Sequence, residues 1–102
     1  MEEKLYTLIK NALIEYISND NSPIQTLSDV LILNGITPCF KFQIIDTIYY
    51  KNKNELHSLY IYFIRIGYYN DKVIYAIVSY SKDLYQKIIH QVEIVEMYGS
   101  CS

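Results

Sequence analysis

The sequence predicts an α+β domain in which a three-stranded antiparallel sheet, with room for a fourth strand, packs against two or three helices. Apolar residues recur at helical spacing near both ends of the chain. Between them, the block from Cys39 to Tyr80 is dense in Tyr, Ile, Phe and Val, and two short polar stretches interrupt it where turns belong. With 102 residues, 51% hydrophobic and 20% charged, the chain suits a single globular unit over residues 1–102 and lies outside the disordered regime.

Leu5, Leu8, Ile9, Ala12, Leu13, Tyr16 and Ile17 define the apolar stripe of a first helix over residues 3–18, with Glu2 and Glu3 at the positive end of its dipole. The polar run Asn19 to Ser22 ends it. Ser22-Pro23-Ile24-Gln25 resembles a capping box with proline in the first turn, which predicts a second, short helix. Two structures compete for Val30 to Thr37, because Asn34-Gly35 between apolar residues is also a hairpin signal. A helix end accounts for more residues: Gly35 takes the left-handed position, Ile36 packs back, and Pro38 blocks continuation.

From Cys39 the period changes to two, with Phe40, Phe42, Ile44, Ile48 and Tyr50 alternating with Lys41, Gln43 and Thr47. Residues 51–54 form the turn, Leu56 to Tyr69 the second strand, Asn70-Asp71 a two-residue turn, and Val73 to Tyr80 the third strand. Ser81 then reads as the cap of a last helix carrying Leu84, Tyr85, Ile88, Ile89, Val92 and Val95, with Asp83 in its first turn and Gly99 beyond its end. The β-branched run from Val92 to Val95 leaves a fourth strand after His90 as the alternative. Leu5-Tyr6-x-x-Ile9 echoes in Leu84-Tyr85-x-x-Ile88, which admits two similar helix-plus-strand halves with a groove between them.

A regular ladder set by the Asn70-Asp71 turn pairs Gly67 with Ile74, Arg65 with Ala76 and Phe63 with Val78. It assigns Phe40, Phe42, Ile44, Ile48, Ile61, Phe63, Ile74 and Val78 to the face beneath the helices. The opposite face then collects Lys41, Gln43, Tyr49, Tyr60, Tyr62, Ile64, Ile66, Tyr68, Tyr75 and Ile77. Asp46 and Arg65 interrupt the apolar parity of neighbouring strands and form a candidate ion pair, with Arg65 a possible polar anchor in a groove. Gly67 marks a bulge or a place where another backbone comes close.

Recognisable chemistry is missing. His57 and His90 stand apart from carboxylates and cysteines at ligand spacing, no glycine-rich phosphate loop or hydrolase motif occurs, and no metal or cofactor site is expected. Cys39 reads as a core thiol and Cys101 as a free terminal one, with a bridge between them left open. A net charge of −2 offers no broad attraction to phosphates, no apolar stretch approaches the roughly 20 residues of a membrane span, and Met1-Glu2-Glu3 is acidic where a signal peptide is basic.

Twelve tyrosines remain, more than a core of this size accommodates. Tyrosine combines large contact area with a hydroxyl and is enriched where proteins meet. Tyr49, Tyr60, Tyr62, Arg65, Tyr68 and Tyr75 are therefore the candidate partner-binding residues of a non-enzymatic module that takes up a peptide segment or partner protein. Nucleic-acid binding through an aromatic sheet face that uses Lys41, Lys51, Lys53 and Lys72, and a homodimer joined through the same face, are the alternatives.

The Ile, Tyr, Asn and Lys bias, the short length and stretches such as Tyr60-Ile61-Tyr62-Phe63-Ile64 resemble the small orphan proteins encoded by filamentous viruses of hyperthermophilic archaea. That resemblance implies an α+β fold, action in the host cytoplasm, no enzymatic role and a protein partner.

Overall fold

A computed structural model describes residues 2–19, 22–82 and 87–99, the side chain of Asn52 excepted. Two helices, α1 (Glu3–Ser18) and α2 (Ile24–Leu33), precede four strands, β1 (Thr37–Asn52), β2 (Glu55–Tyr69), β3 (Lys72–Lys82) and β4 (Lys87–Tyr98). The strands form one antiparallel meander in the order β1-β2-β3-β4. This is an α+β fold with both helices on one face of the sheet, where Ile9, Leu13, Ile17, Leu27 and Leu31 pack with Ile64, Ile66, Ile74, Ala76 and Val78.

The helix end at Asn34-Gly35 forms as the sequence predicts. Gly35 has φ 78°, its N–H donates to the carbonyl of Ile32, and the Ile36 N–H donates to that of Leu31 at 2.9 Å. This pair of bonds satisfies two carbonyls that the last turn would leave open, and it folds Ile36 back into the core. The expected capping box does not form. The N-cap position belongs to Pro23, which has no side-chain cap bond, so proline geometry starts α2 without the Ser22 hydroxyl.

Both hairpin turns are tight. Lys53-Asn54 (φ 51° and 66°) and Asn70-Asp71 (φ 48° and 61°) place two consecutive residues in the left-handed region, the geometry that matches strand twist. The first turn thus has two residues where four were expected, and β1 and β2 run as a ribbon to Asn52 and Glu55. Because β2 pairs with β3 only from Leu59 onward, residues 49–58 project past the sheet, and the molecule measures 48 × 27 × 25 Å.

After the third strand the expected helix is replaced. From Lys87 the chain is strand, paired with β3 along its length, so the fourth-strand alternative holds and begins earlier than His90. Asp83, Leu84 and Tyr85 lie outside the described residues. Both described helices come before the sheet, so the echo of Leu5-Tyr6 does not mark a second helix-plus-strand half among the described residues. β-Branched content and a free ladder on β3 outweigh helical spacing here.

The strongest departure concerns register. Gly67 pairs with Ile74 and Tyr68 with Val73 as expected, but a bulge between Arg65 and Gly67 makes Arg65 oppose Tyr75, Ile64 oppose Ala76 and Phe63 oppose Ile77. One extra residue inverts the faces of everything beyond it. Ile64 and Ile66 are buried beneath the helices, whereas Ile61 and Phe63 lie on the face without helices. Gly67 flanks the bulge, whose unpaired residue is Ile66, and is itself a place of close approach: a Cβ there would lie 2.6 Å from Ile36 Cγ2 and 2.9 Å from the Thr37 carbonyl oxygen, where β1 enters the sheet.

Candidate functional site

The six candidate residues fall into three places. Tyr60 and Tyr62 share the helix-covered face with Tyr80, stacked on it with ring centroids 5.2 and 5.1 Å apart. Tyr49 is 67% exposed on the projecting ribbon. Arg65 and Tyr75 are cross-strand neighbours on the helix-free face, and Tyr68 lies on that side near the Asn70-Asp71 turn, its hydroxyl donating to Asp71 Oδ1 at 3.1 Å. The structure brings Arg65, Tyr68 and Tyr75 to one face and leaves Tyr49, Tyr60 and Tyr62 elsewhere. The bulge at Gly67 explains the loss of Tyr60 and Tyr62.

The helix-free face is built in rows across the four strands, because opposed residues of a ladder share a side. Lys41, Arg65, Tyr75 and Val95 make the first row, and Gln43, Phe63, Ile77 and Glu93 the second. Asp46, Ile61, Ser79 and Gln91 follow, then Ile48, Leu59, Ser81 and Ile88. Phe63 and Tyr75 stack 4.8 Å apart, next to Lys41, Gln43 and Arg65, around a hollow of about 170 Å³. Leu59, Ile61, Phe63, Ile77 and Val95 are each only half-buried, shielded by neighbours in the sheet and by no helix. Sequence reasoning missed Ile61 and Phe63 as members of this face; the signal was Gly67, whose bulge must be counted into the register.

One polar side chain on this face bonds across the sheet. Arg65 Nε donates to the Cys39 carbonyl at 2.9 Å, clamping β2 to the irregular start of β1. The expected Asp46–Arg65 pair does not form: Asp46 opposes Ile61 and accepts from the Thr47 N–H at 2.8 Å. Cys39 is disulfide-bonded and not the core thiol the sequence suggested; Cys101, the only other cysteine of the chain, lies outside the described residues.

On the other face, Tyr69 donates to Glu96 Oε1 at 2.7 Å, and Lys72 Nζ stands 3.7 Å from Glu96 Oε2. Burial first, then the bond to Glu96, pushes the Tyr69 hydroxyl up to about 12. Burial alone would raise Glu96, yet the bond from Tyr69 and the charge of Lys72 are among the influences that hold it below the ordinary carboxylate range. Burial and the hydrogen bond with Tyr62 likewise raise the Tyr80 hydroxyl.

His57 stacks on Tyr50 at 5.3 Å and lies 3.6 Å from Glu55, while His90 Nε2 is 2.7 Å from Ser81 Oγ. Among the described residues no three His, Cys, Asp or Glu side chains gather as metal ligands, and no helix is long and apolar enough to cross a membrane. Comparison with family models, with curated proteins and with solved structures finds no match. The fold and its exposed sheet define the class: an α+β domain with helices on one side of an antiparallel sheet and an apolar, helix-free face on the other.

Proposed function

We propose that this chain is a non-enzymatic interaction module that takes up a partner protein on the helix-free face of its sheet. The observation that carries the proposal is the contiguous, half-buried apolar surface of Leu59, Ile61, Phe63, Tyr75, Ile77 and Val95, over which no helix packs among the described residues, both described helices lying on the opposite side. Sheet faces in small domains are stable when one side is buried and the other is solvated and polar; an apolar second side is the usual mark of a contact surface.

The test is a double substitution, Ile61→Lys with Ile77→Lys, on the full chain. The wild type, at concentrations where it is monomeric, should bind an apolar fluorescent dye in its native state, and the variant should keep the far-UV circular dichroism of the fold while losing most of that fluorescence. A native wild type that neither self-associates nor binds dye, or a variant that unfolds because those residues are core, sinks the proposal.

A second use of the same face is favoured by one observation: the stacked Phe63–Tyr75 pair stands beside Lys41 and Arg65, a combination suited to stacking nucleobases near a phosphate. The net charge of −2 opposes it. Salt-independent or absent binding to labelled single-stranded oligonucleotides would eliminate it.

A further inference from the structure

We infer that the partner on the helix-free face is a second copy of this chain, packed face to face about a two-fold axis that runs parallel to the strands between β2 and β3. The inference rests on the proposal that this face is a contact surface and adds what covers it. Such an axis lays β1 over β4 of the other copy and β2 over β3, keeping each row opposite its own image, and an isologous contact requires every row to complement itself.

Row by row, it does. In the row Lys41, Arg65, Tyr75, Val95, the guanidinium of Arg65 faces the ring of the opposing Tyr75, a favourable cation–ring arrangement. In the row Gln43, Phe63, Ile77, Glu93, Phe63 meets Ile77, and Gln43 meets Glu93 with Lys41 one row along the same strand, within side-chain reach of that carboxylate. Further along, Ile61 and Leu59 of β2 face Ser79 and Ser81 of β3, so large residues enter the space left by small ones. At the edges Asp46 meets Gln91, and Ile48 meets Ile88, both of these isoleucines more than 40% exposed in the single chain.

Charge and size are thus both self-complementary under one operator. Lys41 and Glu93 are exposed and neither makes an ion pair within the described residues. The symmetry brings the Lys41 of each copy to the Glu93 of the other, two contacts per dimer.

The area is adequate for a reversible dimer. Strands about 4.8 Å apart and rows about 7 Å apart outline a patch on the order of 500 Å² per copy. That gives roughly 1,000 Å² for the pair, at the lower limit for a specific interface. Sedimentation equilibrium of the full chain across a concentration series decides the matter. The wild type should show a monomer–dimer equilibrium, and Lys41→Glu or Glu93→Lys should each weaken it by about tenfold through two like-charge contacts.

Both substitutions together should restore the wild-type association to within about threefold, because the exchanged charges meet again across the axis. Ser79→Arg, which fills the space opposite Ile61, should abolish the dimer. A chain that stays monomeric at the highest concentration, or a double charge exchange that fails to restore what the single changes lost, overturns the inference. If the wild type is monomeric but still binds the apolar dye, only the second copy is excluded. If it neither associates nor binds dye, the contact surface itself falls.

Discussion

Tyr69 and Glu96 hold each other in opposite protonation states, the hydroxyl neutral and the carboxylate charged, and the sign of each shift gives a pH dependence. Tyr69 has its folded value raised from 10.0 to about 12, so its contribution is complete below pH 10 and lost as the pH rises through that interval. Glu96 has its folded value lowered from 4.5, so its contribution is present above that pH and lost as the pH falls through the depressed value. Urea unfolding over a pH series should therefore show an alkaline decline that Tyr69→Phe reduces, the raised Tyr80 hydroxyl keeping the rest, and an acid decline that Glu96→Gln reduces.

Gly67 gives a sharper residue-scale expectation. An added Cβ would press on the Thr37 carbonyl and on Ile36, backbone and buried side chain that cannot both retreat, so Gly67→Ala should lower stability by about 1–3 kcal/mol in denaturant titration. Glycine at this place was legible in the sequence as a bulge or close approach. What it did to Tyr60, Tyr62, Ile61 and Phe63 was not, because a bulge is located by which residue the ladder leaves unpaired, and that depends on both strands.

At the scale of elements, local chemistry was the better guide wherever it closed its own hydrogen bonds. Asn34-Gly35-Ile36 ends α2 through two backbone bonds within six residues, and Asn70-Asp71 closes the second hairpin, each specified by residues adjacent in the chain. Ser22 shows the opposite case, a plausible cap with no bond made. Lys53-Asn54 was expected within a longer turn, yet both residues adopt positive φ. Replacing Asn54 by Gly should relieve that strain and leave stability unchanged or raise it by about 0.5–1 kcal/mol, measured as a shift of the urea midpoint. A loss of stability would mean that the Asn54 side chain, and not the backbone geometry, secures the turn. β4 was misread as a helix because Ile88, Ile89, Val92 and Val95 fit a helical stripe as well as a strand with a bulge, and the bulge between Ser79 and Tyr80 lets both Ile89 and Val92 meet the core.

For the whole molecule, the proposed pairing through the helix-free face would link stability to association. If two copies cover that face, the urea midpoint of the wild type should rise with protein concentration while that of Ser79→Arg stays constant. The projecting ribbon carries Tyr49 and Leu56 at 67% and 70% exposure. The candidate site was legible in part: Arg65, Tyr68 and Tyr75 share the exposed face, whereas the tyrosines thought to be its centre lie with the helices. Composition, period and turn residues determined by themselves the fold class, both helices, three strands and a surplus of aromatic surface, because those features depend on contacts within a few residues or on totals. Which side each β2 residue faces, the identity of β4 and the composition of the bare face were decided only in the assembled sheet. There a single unpaired residue at a bulge reverses the alternation, and the energy that selects its position comes from burying Ile64 and Ile66 under helices distant in the chain.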